Sequence, residues 1–183
     1  ESSSLAIGAE NEVENESAVA LGKSNKVLAF STAGIKGFGG GIAIGDGNIV
    51  KSETTTGAYE FTRGGTAIGR NNSVFVRSAT ALGIGNQIGL EDTAYSNLQD
   101  GRYGFAAGVN NNVMGQSSIA MGDHCDASGA FSYAVGKECK AGQSHVKLIG
   151  EGLVLGKDTY SNGGEPPQKK GIFMIGIMYM QSV

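Results

Sequence analysis

Short apolar runs recur along the chain, and each closes on a glycine. Aligned on an alanine–apolar–glycine triplet, the closing glycines are Gly8, Gly22, Gly45, Gly69, Gly83, Gly108, Gly122, Gly136 and Gly156. Successive copies lie 14, 23, 24, 14, 25, 14, 14 and 20 residues apart, which is a 14-residue period with insertions in some intervals. A fixed period of this kind signals an array of stacked units. Two residues before the glycine stands alanine (Ala6, Ala20, Ala43, Ala67, Ala81, Ala106, Ala120, Ala134), with Val154 in the last copy. Four before it the residue is always small: Ser4, Ala18, Gly41, Gly65, Ala79, Gly104, Ser118, Ser132 and Gly152. Three after it come Asn11, Asn25, Asn48, Asn72, Asn86 and Asn111, then Cys125, Cys139 and Thr159. Five after it come Val13, Val27, Val50, Val74, Ile88 and Val113, then Ala127, Ala141 and Ser161.

Each column has a structural reading. A stretch such as Val19-Ala20-Leu21 is short, apolar and partly β-branched, which suits a strand of three to five residues. Alternation puts the alanine on the face opposite its neighbours, and its constant small size predicts a crowded interior there. Glycine at the strand end predicts a turn with positive φ or close backbone approach. Asparagine three residues on tolerates left-handed geometry, and copies stacked on one another would form an amide ladder. The apolar residue five after the glycine opens the next short strand. One coil is therefore two short strands and two tight turns, and the reading is an all-β parallel solenoid of about nine 14-residue coils. At about 4.8 Å per coil, nine coils make a rod of roughly 40 Å. So thin a roll leaves apolar columns outside, which predicts capping and side-to-side assembly.

Composition agrees with this reading. Of 183 residues, 31 are glycine and only two are proline, so neither collagen nor an ordinary helical domain fits. With 40% hydrophobic residues the chain is no flexible glycine linker. A net charge of −3 argues against nucleic acid or another polyphosphate as partner. The longest apolar run, residues 172–180, is interrupted by Gly176 and falls short of the roughly 20 residues of a transmembrane helix. Glu1-Ser-Ser-Ser reads as the trimmed boundary of a longer chain, so the missing secretory signal says nothing about export.

In phrases such as Ser17-Ala-Val-Ala-Leu-Gly22-Lys-Ser-Asn25-Lys-Val27 and Ser117-Ser-Ile-Ala-Met-Gly122, the chain resembles the head domain of trimeric autotransporter adhesins, the YadA-like β-roll. The resemblance covers residues 3 to about 160. It implies a left-handed roll, three chains around one axis, and attachment of a bacterial cell surface to a host protein or glycan. The head would be displayed outside the outer membrane. Similar rolls occur in phage tail-fibre and spike proteins, which gives the alternative of a receptor-binding or structural segment on a virion. The roll is expected over residues 1–161. The remainder, 162–183, holds Pro166-Pro167 and an apolar ending and reads as a cap or a strand shared between subunits.

Insertions break the period at one recurring point, in residues 28–41, 51–65 and 89–104. Same-point insertions emerge on one face, and such a face often binds. They carry Phe30, Phe38, Tyr59, Phe61, Tyr95 and Tyr103, beside Arg63, Asp100 and Arg102. Aromatic side chains with nearby Arg and Asp suit contacts to proteins or sugars. The candidate ligand-binding set is Phe38, Tyr59, Phe61, Arg63, Tyr95, Asp100, Arg102 and Tyr103. The other reading is that the loops only cover the roll or clasp a neighbouring subunit.

Cys125 and Cys139 sit one period apart in the asparagine column. On adjacent coils a disulfide is within reach, and two buried thiols replacing asparagine is the competing reading. His124 and His145 lack paired metal-ligand spacing, so no metal or other cofactor is expected. No nucleophile elbow, P-loop or metalloprotease motif occurs. Gly83-Ile-Gly85 falls inside the array as a turn. Acid pairs such as Glu91-Asp92 and Glu10/Glu12 admit a glycan-processing enzyme in principle, but a charged turn face is the plainer account. The expectation is a protein without catalysis.

Overall fold

The computed structural model describes residues 3–14, 17–31, 40–54, 64–76, 78–90, 101–155 and 173–175. Every coil contributes one strand to each of two parallel sheets. The first sheet holds β1 (Leu5–Ala9), β3 (Val19–Lys23), β5 (Ile42–Asp46), β7 (Thr66–Arg70), β9 (Thr80–Ile84), β11 (Phe105–Val109), β13 (Ile119–Asp123), β15 (Tyr133–Lys137), β17 (Lys147–Glu151) and β19 (Phe173–Ile175). The second holds β2 (Glu12–Val13), β4 (Lys26–Ser31), β6 (Ile49–Thr54), β8 (Ser73–Val74), β10 (Gln87–Ile88), β12 (Asn112–Val113), β14 (Asp126–Ala127), β16 (Lys140–Ala141) and β18 (Val154–Leu155). Neighbours in each sheet are consecutive coils, so the chain winds as a parallel β-roll of nine coils. No helix among the described residues is long and apolar enough to cross a membrane.

The strands pair column by column: Ala6 with Ala20, Ala20 with Ala43, Gly8 with Gly22, Gly22 with Gly45. Alternation then sorts the side chains. Ala20, Ala43, Ala67, Ala81, Ala106, Ala120 and Ala134 point inward and are fully buried, facing a second buried column of Val27, Val50, Val74, Ile88 and Val113. Residues on either side of each alanine point outward. Leu5, Ile7, Ile42, Ile68, Met121 and Ile149 are all exposed there, Ile7 at 57%.

Two sequence expectations are corrected. The ninth copy closes on Gly150, 14 residues after Gly136, since Gly136 pairs with Gly150 and Ala134 with Leu148. Val154-Leu155 is instead strand β18 of the second sheet, paired with Lys140-Ala141. The apparent 20-residue interval does not exist, and Leu153 and Leu155, not Thr159 and Ser161, take the third and fifth places after the glycine. Leu148 and Val146 fill the places where the pattern has alanine and a small residue, and both are buried. A larger interior pair satisfies the same burial, so the alanine rule broke without breaking the coil. Beyond it, β19 continues the first sheet in register, Leu148 beside Met174 and Ile149 beside Ile175.

The left-handed residue was also misplaced. It lies two residues after the glycine, not at the asparagine: Glu10, Ser24, Asn71, Asn110, His124 and Glu138 have φ of 51–57°, and Gly47, Gly85 and Gly152 have 65–66°. The second turn has its own left-handed position at Ser17, Ser78, Tyr103, Ser117, Phe131 and His145, with φ of 52–63°.

Candidate functional site

The asparagines are inside the roll, where a lone amide would be costly. They are satisfied by one another. The Asn25 side-chain Nδ2 donates to Asn11 Oδ1 at 3.1 Å, to its own coil's Leu21 carbonyl at 3.0 Å and to Gly45 O of the next coil at 2.9 Å. The pattern repeats at Asn48, Asn72, Asn86 and Asn111 with inter-amide distances of 2.9–3.0 Å. Each Oδ1 also accepts the backbone N–H of the next asparagine, for example Asn48 N to Asn25 Oδ1 at 3.2 Å. That N–H fixes which end of the amide is oxygen, because only an acceptor can face it.

The glycine column belongs to the same device. Gly45 has φ +123°, and a Cβ there would lie 1.9 Å from the carbonyl oxygen of Gly69. That oxygen is the one turned inward to accept the Asn48 amide at 2.9 Å. Glycine is needed because its neighbour's carbonyl occupies the space a side chain would take.

At Cys125 the ladder changes. The Cys125 backbone N–H still donates to Asn111 Oδ1 at 2.9 Å. Its Sγ reaches the same two kinds of carbonyl as an asparagine, Met121 O at 3.6 Å and Gly136 O at 3.3 Å. Cys139 repeats this with Val135 O at 3.5 Å and Gly150 O at 3.0 Å. Both are buried free thiols. Burial raises the Cys125 thiol above the ordinary range, the adjacent Cys139 backbone N–H pulling the other way.

The insertions leave and re-enter at the corner that joins the second sheet to the first. The initial residues of two of them are strand: Leu28 to Ser31 of β4 pair with Lys51 to Thr54 of β6. They return side by side at Gly40-Gly41 and Gly64-Gly65, so tightly that a Cβ on Gly64 would overlap the Gly40 carbonyl. Phe38, Tyr59, Phe61, Arg63, Tyr95 and Asp100 lie outside the described residues. Of the sequence-derived ligand set, Arg102 and Tyr103 are described: Arg102 is half-buried and Tyr103 is 51% exposed at the end of the third insertion.

The sequence reading did not single out Phe131 and weighed His145 only as a metal ligand. Phe131 and His145 occupy the same corner column as Tyr103, on coils without insertions, and Phe131 is 45% exposed. They stack with ring centroids 5.3 Å apart and planes 21° apart. Their common place five residues before the closing glycine was the available signal, hidden for His145 because the ninth copy had been set on Gly156. On the opposite turn, exposed His124 bonds through Nδ1 to Asp123 Oδ1 at 2.5 Å, and Nε2 lies 3.4 Å from the Asn110 amide. Among the described residues, no three His, Cys, Asp or Glu side chains gather as a metal site.

Compared with known protein families, with curated proteins and with solved structures, the chain matches none.

Proposed function

We propose that this roll is a non-catalytic attachment module, the head of a trimeric bacterial adhesin displayed outside the outer membrane. It would bind a host surface protein or glycan through the insertion corner or the lateral face. One observation carries the reading: the outer face of the first sheet presents an apolar side chain on every coil, Ile7, Leu21, Ile44, Ile68, Leu82, Ala107, Met121, Val135 and Ile149, of which Ile7, Ile68, Met121 and Ile149 are exposed and the rest half-buried. Contiguous exposed apolar surface marks an interface. A row running from coil to coil is covered most simply by further copies of the same roll lying parallel to it. Three copies around an axis bury all three rows together and leave the turns and insertions facing outward.

Light scattering tests the assembly. A particle of three times 18.7 kDa is expected, and a monomer of 18.7 kDa overturns it. Solid-phase binding to matrix proteins tests the attachment, with Arg102 and Tyr103 each changed to Ala. A second reading, a segment of a phage tail fibre, is favoured by the two buried free thiols, which suit assembly in a reducing cytosol.

A further inference from the structure

The two turns of each coil differ in charge. Across coils seven to nine, the turn after the glycine carries Asp123, His124, Asp126, Lys137, Glu138, Lys140 and Glu151. The opposite corner reads Met114-Gly-Gln-Ser117, Ser128-Gly-Ala-Phe131 and Gly142-Gln-Ser-His145, without one Lys, Arg, Asp or Glu. This uncharged corner also holds the stacked rings. The left-handed column of this side holds Tyr103, Ser117, Phe131 and His145 on four successive coils, at φ 57°, 52°, 55° and 63°, and Arg102 precedes Tyr103 at the first of these levels. The backbone amides of Ser117, Phe131 and His145 each donate to the coil before, at Arg102 O, Gln116 O and Ala130 O, all at 2.8 Å. The column is therefore regular, and its residues are in equivalent positions.

Bulky side chains are unusual in this conformation. Serine makes the same turn at Ser17, Ser78 and Ser117, so the turn itself does not require an aromatic residue. The Phe131–His145 stack shows how rings from this column sit: one coil apart, face to face along the rod. Tyr103 and Phe131 stand two coils apart, roughly 10 Å, with only the small Ser117 between them. That interval has room for one additional ring, about one coil's height from each neighbour.

We propose that Tyr103, Ser117 and Phe131 form a slot for one uncharged pyranose, the terminal sugar of a glycan. The apolar C–H faces of a pyranose stack on aromatic rings, and its hydroxyls match the neutral Gln116 and Ser117 side chains at the slot. The corner bears no charge at the Ser117 and Phe131 levels, where the ion of a sialylated or sulfated sugar would be desolvated without a partner, and Arg102 lies at the Tyr103 edge. Tyr103 closes the third insertion, so the slot lies on the corner from which all three insertions leave. The proposal rests on the attachment reading and gives it a ligand class.

Saturation-transfer NMR of the intact chain with methyl glycosides of glucose, galactose, mannose and N-acetylglucosamine tests the slot, with free sialic acid as the charged control. Transfer to at least one neutral glycoside is expected. Phe131→Ser installs the residue already native to this column and should weaken binding by about tenfold, the scale of one lost aromatic contact. Ser117→Tyr fills the slot and should abolish transfer, with circular dichroism verifying that both variants keep the roll. No transfer from any neutral glycoside overturns the slot, as does transfer undiminished in both variants. Matrix-protein binding without glycoside transfer would sink the slot and leave attachment standing. Glycoside transfer without binding to any surface ligand would do the reverse.

Discussion

The first six coils and the last three solve the same interior problem with different chemistry. In coils one to six an asparagine amide links each coil to the next, its oxygen taking two donors from the following coil in coils one to five and the Cys125 backbone N–H in coil six. In coils seven and eight the thiols of Cys125 and Cys139 reach the same carbonyls but offer only weak sulfur acceptors to the next coil. In coil nine the position is Leu153, packed against the core, with Val146 and Leu148 buried beside the axis. The interior thus passes from polar linkage to apolar filling along one rod. A parallel β-roll does not need the amide at every level; it needs every inward carbonyl and N–H accounted for, or their neighbours made large and apolar.

Replacing the amide in the polar half should do the most damage. Asn72→Leu takes their Asn72 partner from the Asn86 backbone N–H and the Gly83 carbonyl, at about 1–3 kcal/mol for each buried orphan, while the Asn86 side-chain amide keeps Leu82 O and Gly108 O. A loss of roughly 3 kcal/mol or more is expected in chemical denaturation. A variant as stable as the parent would show that the ladder is decoration. The converse exchange extends the ladder by one coil. Cys125→Asn places an amide where Asn111 Oδ1, Met121 O and Gly136 O already converge, and should add about 1 kcal/mol in the same assay. Destabilisation instead would mean that the cavity there is shaped for sulfur.

The smallest effect concerns protons. Because burial raises the Cys125 thiol, folded and unfolded chains carry the same neutral group at all pH values below the ordinary thiol range, and stability is unaffected there. As pH rises past that range the unfolded chain ionises first, and stability falls until the buried thiol ionises too. Denaturation midpoints followed from neutral to alkaline pH should therefore decline more in the parent than in Cys125→Ala. Equal slopes would remove the thiol from the account.

The repeating columns were readable because each residue serves the same role once per coil, so the spacing of Ala20, Gly22, Asn25 and Val27 recurs wherever the coil recurs. Reading failed where one role admits several side chains. Leu148 fills the alanine place and drew the alignment to the wrong glycine. The left-handed residue after each glycine needs only a backbone conformation and water, so Glu10, Ser24, His124 and Gly152 serve equally and leave no pattern. The corner rings were hidden for the same reason, since serine makes that turn as well as Phe131 does. Of the ligand set drawn from the insertions, only Arg102 and Tyr103 fall among the described residues.

Stacked coils of near-identical chemistry raise a question of address. A strand displaced by one whole period would meet alanine with alanine and glycine with glycine, and no single column would register the error. Uniformity that makes stacking easy also makes neighbours interchangeable. The unequal detours after β4, β6 and β10, and the change from amide to thiol to leucine at the far end, give individual coils distinct labels. Irregularities in the beat are thus what lets a monotonous rod fold into only one alignment.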